Sequence, residues 1–167
     1  LIEEVINNVE KKDNIKSYIV SEQDIQNNNP EYIDYSIVEV IARNIGIDSS
    51  KGLFLCFLDS DDTWLPEKMT VQAKVIEEDL NFIATGYKQH SFNVVPVKKI
   101  YSDEDFLCKL GIGASTVVVS RDLVGKTRFT DRDKSQDTIF WFELFKKPSV
   151  RYIGLERVLA LYFPSER

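Results

Sequence analysis

The sequence predicts a layered α/β fold, and three observations carry that prediction. Six apolar residues in a row, Leu53-Phe54-Leu55-Cys56-Phe57-Leu58, stand between Gly52 and the acidic group Asp59-Ser60-Asp61-Asp62. That is the pattern of a strand buried on both faces of a sheet. A second run, Thr116-Val117-Val118-Val119, follows Gly111 and Gly113 and is rich in the β-branched residues that strands favour. Around these runs, segments of helical period alternate with extended ones, as expected where helices are layered on a sheet. At 167 residues the chain is read as one domain spanning 1–167, large enough for a substantial core.

The elements follow in order. Leu1, Ile2, Val5, Ile6 and Val9 recur at helical spacing and predict an amphipathic first helix. A short strand is expected over 16–20, and the polar stretch 21–34, with Gln26-Asn27-Asn28-Asn29-Pro30, reads as a loop. A helix is predicted over 36–45, carrying Val38, Ile41 and Ala42, with Gly46 near its end. After the apolar strand, Pro66 suits the first turn of a helix that runs through Val71, Val75 and Ile76. Extended segments are expected at 82–87 and 94–100, a short helix at 103–110, a helix at 135–147 and a last strand at 158–162. There is no internal repeat.

Bulk properties exclude several function classes. The balance of 21 basic against 27 acidic residues, a net charge of -6, argues against general affinity for nucleic acid or an anionic membrane surface. No apolar run approaches a membrane span, and no signal peptide is visible. Cys56 and Cys108 lack metal-type spacing and suit a reducing cytosol better than a disulfide framework. The first residue is Leu1 rather than Met, which sets the expectation of a fragment or a processed product.

The chemistry concentrates at the acidic group. Ligands of open α/β sheets bind beyond the carboxyl ends of strands, where these aspartates would sit. Close carboxylates repel one another unless a cation or a proton offsets them, so a divalent metal is the expected occupant. Upstream stand Ala42-Arg43-Asn44-Ile45-Gly46-Ile47 and Lys51-Gly52; downstream stand Trp64 and Pro66-Glu67-Lys68. Further along come Ser115-Thr116-Val117-Val118-Val119, Gln136-Asp137 and Val158-Leu159-Ala160-Leu161-Tyr162.

Taken together, these motifs resemble glycosyltransferase family 2, whose members are inverting, nucleotide-sugar-dependent enzymes of the GT-A fold. The resemblance runs from about Ser36 to the end of the chain. It implies a GT-A-like mixed sheet flanked by helices, in a single partial domain truncated at its N-terminus. It also implies a Mn²⁺ or Mg²⁺ cofactor at the DxD motif, where Asp61 binds the metal directly and Asp59 assists or contacts the nucleotide ribose. Breaking a sugar–diphosphate bond leaves negative charge that such a cation neutralises. Arg43 is implied as a nucleotide-sugar contact and Asp137 as the base that deprotonates the acceptor hydroxyl. Ser115 and Thr116 are implied in the acceptor pocket, although strand-start hydrogen bonding explains them nearly as well.

Other residues carry two readings each. Asp62 is as readily a cap for the turn into the next helix as a ligand. Trp64 fits packing beneath the acidic loop better than stacking on a sugar, and Lys51 fits solvent. The aromatic run Ile139-Phe140-Trp141-Phe142, with Leu144 and Phe145, fits a core. The basic group Arg121, Lys126, Arg128, Arg132 and Lys134 reads as a solvated loop, with the phosphate of a lipid-linked acceptor as the alternative. His90, the only histidine, is assigned no role.

Two departures from the family pattern stand out. Gln136 replaces the acidic residue that members place before the base. The opening strand is missing, and Ser21-Glu22-Gln23-Asp24 matches the second acidic motif poorly. The implied activity is transfer of a sugar from a nucleoside diphosphate, UDP, to a glycan or lipid-linked acceptor in bacterial surface polysaccharide synthesis. The implied location is the cytoplasmic side, with peripheral membrane association of the intact enzyme and no nucleic-acid partner. Two alternatives remain: a haloacid dehalogenase-like phosphotransferase with Asp59 as nucleophile, and a non-catalytic truncated GT-A domain.

Overall fold

The computed structural model describes residues 35–76, 79–89, 93–99, 101, 112–130 and 136–163. The helix expected from Leu1, the strand at 16–20, the loop at 21–34 and the helix at 103–110 lie outside the described residues, as do His90, Cys108, Arg132 and Lys134.

Helix α1 (Tyr35–Ser49) buries Val40 and Ile47, seven residues apart and so on one face. It runs past the expected end because the backbone of Gly46 is not left-handed, and the Ser50 N–H bonds to the Gly46 carbonyl at 3.0 Å. Strand β1 (Phe54–Cys56) follows, then β2 (Thr63–Trp64) and helix α2 (Lys68–Ile76). The long strand β3 (Phe82–Gln89) and the short β4 (Val94–Val95) come next, then a 3₁₀ turn (Ala114–Thr116) and β5 (Val118–Ser120). Helix α3 (Arg121–Val124), helix α4 (Gln136–Phe145) and strand β6 (Tyr152–Tyr162) complete the order.

The sheet is mixed, in the order β1-β5-β3-β6-β2, with β4 added beside β3. Only β3 and β6 pair in parallel; the other pairs are antiparallel. The layered α/β expectation therefore holds, with a mixed sheet flanked by helices. The apolar run 53–58 departs from its expected form. It supplies three strand residues at one end of the described sheet, with Leu55 buried, Phe54 and Cys56 half-buried, and Leu53 82% exposed. Among the described residues β1 pairs with β5 alone.

Two other boundaries moved. Thr116 belongs to the 3₁₀ turn and not to the strand, which begins at Val118. Strand β6 begins six residues earlier than its apolar pattern indicates, because Glu156 and Arg157 interrupt the pattern at an irregularity. There the register jumps from Thr85↔Leu155 to Gly86↔Val158, leaving those two exposed residues as an extra pair on β6.

The core gathers on one side of the sheet around an aromatic group. Phe82, Phe140 and Trp141 are essentially inaccessible to solvent. Phe129 stacks on Phe140 with ring centroids 3.9 Å apart, and Phe57 meets both edge-on. The aromatic run of α4 is thus core, as its composition indicates, and it fixes where the first turn of α4 stands. Such ring pairs contribute about 0.5–1.5 kcal/mol each beyond the area they bury.

Candidate active site

The chain leaves β1 through buried Phe57 and enters a tight turn, closed by the Asp62 N–H donating to the Asp59 carbonyl at 3.0 Å. One buried side chain organises this turn. The Ser115 hydroxyl accepts from the Asp59 N–H at 3.1 Å and donates to the Asp62 carboxylate. The Ser115 carbonyl accepts from the Trp64 indole at 2.7 Å. Asp62 also accepts from the Phe163 N–H at 3.3 Å. Burial is the main reason its pKa rises to about 6; the Ser115 and Phe163 hydrogen bonds oppose the rise, and the charges of Asp59 and Asp61 add to it. Asp62 therefore caps no helix; it ties the turn to the end of β6.

Beneath Trp64 lies a fully buried lysine. The Lys68 ammonium stands 4.4 Å from the centre of the indole ring and donates to the Gln72 side-chain oxygen at 2.7 Å. The Gln72 amide donates in turn to the carbonyls of Thr116 (3.0 Å) and Ile83 (3.3 Å). Trp64 thus packs under the acidic turn, as its position in the sequence indicates.

Arg43, on α1, reaches across to Asp59 with an N–O distance of 2.6 Å, and to Glu39 at 3.8 Å. Burial alone would lower its pKa, but the charge and hydrogen bond of Asp59 outweigh it. Glu39 and Asp137 add to that effect, and the net shift is upward. The neighbouring Asn44 exchanges two 2.9 Å hydrogen bonds with the backbone of Phe129, and the Arg43 guanidinium lies 5.3 Å from the centre of the Phe129 ring. Because Phe129 stacks on Phe140, this clamp connects α1 to the helix that carries Asp137.

Asp137 occupies the first turn of α4 and is half-buried. Burial raises its pKa; the Thr138 N–H, at 2.7 Å, and the charge of Arg43 pull it down, and Asp59 pushes it up. Arg43, Asp59 and Asp137, separated widely in sequence, therefore share one electrostatic environment. Tyr87 on β3 and Tyr162 at the end of β6 belong to it as well, since Asp137 and Asp62 both raise their phenols after burial.

Several expected contacts take another form. Ser115 and Thr116 are buried, and both hydroxyls are engaged within the protein, the second to the Gly113 carbonyl at 2.7 Å. Ser115 thereby braces the acidic turn from within the protein. The three described members of the basic group do not form one patch. Arg121 binds the Gly52 and Ile47 carbonyls and Ser50, Arg128 pairs with Asp48, and Lys126 is exposed. Two of its members thus pin the end of α1. Lys51 is exposed, as expected. The buried Lys68–Gln72 pair and Tyr87 carry no signal in a motif, although the i, i+4 spacing of the pair marks one helix face.

The carboxylates test the implied metal. Asp61 is half-buried and makes no hydrogen bond or ion pair among the described residues; Asp59 commits one oxygen to Arg43. No group of three acidic, histidine or cysteine side chains placed to hold an ion is found among the described residues. Two carboxylates do not make an all-protein cage, but they fit Mg²⁺ or Mn²⁺, which is held by one or two carboxylates together with substrate phosphates.

Over most of its length the chain is similar to known proteins. The model of the family described as glycosyl transferase family 2 matches residues 39–154. The putative teichuronic acid biosynthesis glycosyltransferase TuaG of Bacillus subtilis is 30% identical over 138 residues, covering 78% of this chain and 54% of that protein. WfgD of Escherichia coli, named as a UDP-Glc:alpha-D-GlcNAc-diphosphoundecaprenol beta-1,3-glucosyltransferase, is 29% identical over 128 residues, covering 72% and 49%. Among solved structures, residues 1–349 of Staphylococcus aureus TarS superpose with a TM-score of 0.59 at 17% identity, covering 74% of this chain and 40% of that one, a likeness of fold. The chain spans about half the length of the curated relatives it matches.

Proposed function

Since the chain belongs to glycosyltransferase family 2, we propose that it transfers a sugar from a nucleoside diphosphate, UDP, to a hydroxyl of a glycan or lipid-linked acceptor. The proposed reaction inverts the anomeric carbon, depends on a divalent cation, and serves bacterial surface polysaccharide synthesis. The observation that carries this reading is the convergence of the acidic turn, Arg43 and Asp137 from three separate elements. The functions named for TuaG and WfgD support the polysaccharide context. No helix among the described residues is long and apolar enough to cross a membrane.

The residues divide the work. Asp137 takes the proton of the acceptor hydroxyl, and burial makes its carboxylate more basic than an exposed one, as a general base requires. The acceptor oxygen attacks the anomeric carbon as the bond to the diphosphate breaks, and the electron pair leaves with UDP. Arg43 meets the developing negative charge with charge-assisted hydrogen bonds. A bound Mn²⁺ or Mg²⁺, held by Asp61 with Asp59, would supply further neutralisation of the leaving group. Nucleophilic chemistry at Asp59 draws less support, because the matching family is one of glycosyltransferases and one oxygen of that carboxylate is engaged by Arg43 at 2.6 Å.

The test is calorimetry of UDP binding to the full protein, with Mn²⁺ and with chelator. Wild type should bind only with metal, Asp61→Ala should lose that binding, and Asp137→Asn should keep it while turnover falls about 10²–10⁴-fold. Metal-independent UDP binding, or none, would sink the reading.

A further inference from the structure

The 3₁₀ turn that carries Ser115 is held by two successive carbonyls as well as by a hydroxyl. The Ser115 carbonyl accepts from the Trp64 indole at 2.7 Å, and that of Thr116 accepts from the Gln72 amide at 3.0 Å. These donors come from different elements, β2 and α2, yet both meet one atom. The Lys68 ammonium stands 4.4 Å from the centre of the Trp64 ring and 2.7 Å from the Gln72 side-chain oxygen.

An ammonium can only donate, so it decides which way Gln72 lies. The amide oxygen turns to Lys68, and the NH₂ turns to the carbonyls of Thr116 and Ile83. The face of the indole attracts the same charge, by about 2 kcal/mol where water is excluded. Lys68 and Gln72 are both fully buried, and Lys68 makes no ion pair among the described residues. Burying a cation without a carboxylate is costly, and an apolar side chain would fill the space without that cost. Packing therefore does not account for a lysine here. Direct attraction to the acidic turn does not either, since Cys56 is the one charge that favours the ammonium and no aspartate acts on it. Its influence on the turn passes through the two side chains it touches.

We propose that Lys68 is a positioning residue for the acidic turn, acting through Trp64 and Gln72 on the backbone of Ser115 and Thr116. With both carbonyls fixed, the Ser115 hydroxyl is aimed at the Asp59 N–H, 3.1 Å away, and at the Asp62 carboxylate. Asp59 and Asp61 are then held in one arrangement before a ligand arrives. The assignment rests on the transferase reading for what the turn binds. For the bracing itself it rests on the hydrogen bonds and the ring contact alone.

The experiment separates the two. Amide hydrogen exchange, read by NMR on the full protein at pH 7 without metal or nucleotide, reports the bracing. Calorimetry of UDP with Mn²⁺ reports its use. In Lys68→Met the amides of Asp59 and Asp62 should exchange about tenfold faster than in wild type, measured against the strand amides of β5. The Kd for UDP with Mn²⁺ should rise about 10–100-fold. Trp64→Phe keeps a ring over the ammonium and loses the N–H donor, so it should produce both effects. The double variant should be no worse than the more affected single one, because the two residues act in series. If Lys68→Met fails to fold, Trp64→Phe, at a half-buried position, carries the comparison.

Turn amides as protected in Lys68→Met as in wild type would overturn the proposal, and so would additive losses in the double variant. A UDP Kd within about twofold of a wild type that binds UDP would also overturn it. Faster exchange at the turn, in a protein whose wild type binds no UDP, would leave the bracing standing and remove the transferase reading.

Discussion

Ser115 makes the acidic turn a single object. Its hydroxyl receives the Asp59 N–H and gives its proton to Asp62, while its carbonyl holds the Trp64 indole. Ser115→Ala would leave a part-buried backbone N–H and a buried carboxylate each short of a partner, at a cost of about 1–3 kcal/mol. We expect a lower midpoint in urea denaturation and weaker Mn²⁺-dependent UDP binding, although the hydroxyl itself reaches no ligand. Unchanged UDP binding in a destabilised variant would show that Ser115 serves stability alone. The sequence marks Ser115 only as a residue before a strand. Its hydrogen bond with Asp59, 56 residues back in the chain, is a product of β1 pairing with β5.

Helix α2 shows how an element can carry a charge inward. Its buried face includes Lys68 and Gln72, and the ammonium has a ring and an amide oxygen as partners in place of a carboxylate. Burial lowers the Lys68 pKa from 10.5 to about 8, a shift the Cys56 thiol partly opposes. Between those values the unfolded chain holds the proton more tightly than the folded one, so this group's contribution to stability rises with pH across the window. Cys56 acts in the opposite direction, because burial raises its thiol and the folded state keeps that proton longer. The comparison with Lys68→Met isolates the lysine. From about pH 7.5 to pH 10.5, wild type should gain up to roughly 3 kcal/mol on the variant in urea denaturation, the linkage value of the shift. Parallel stability curves would show that the ammonium is not desolvated as described. Helix α1 contributes in a different way: the Asn44 clamp on Phe129 passes its position through a ring stack to α4.

At the scale of the whole molecule, packing around the central pair of strands leaves little tolerance. A Cβ at Gly154, on β6, would run into the Lys98 carbonyl and press on the Tyr152 hydroxyl that bonds to it. Gly154→Ala should therefore destabilise the protein by several times the usual surface effect, about 2–4 kcal/mol, and lower its thermal midpoint. A midpoint shift within a degree or two of wild type would mean that the 98–99 segment yields freely. The same scale explains what was legible in the sequence. The acidic turn and Arg43 were singled out from motifs, and the fold draws Arg43 onto Asp59. Helix α4 was legible because an aromatic run of that density has to be core. The end position of β1 was not legible, because apolar content reports burial and not the number of strand neighbours. Nor was the role of Arg121 or Arg128, since a basic residue bound to backbone carbonyls reads in sequence like any solvated one.

The parallel pairing of β3 with β6 also has a kinetic side. Asn81 and Arg151 are bonded across 70 residues of intervening chain, and the Phe82↔Tyr152 register begins beside them. That loop must close before β6 can carry its far end, with Tyr162, up to the acidic turn. Pairings of such long separation are slow to form, because loop entropy is lost before any contact compensates it. Helices α1 and α2 can form locally, whereas the site exists only once this closure is complete. During refolding, competence to bind a nucleotide should therefore lag behind helix content, and a nascent chain would acquire its chemistry only after its last described strand has emerged.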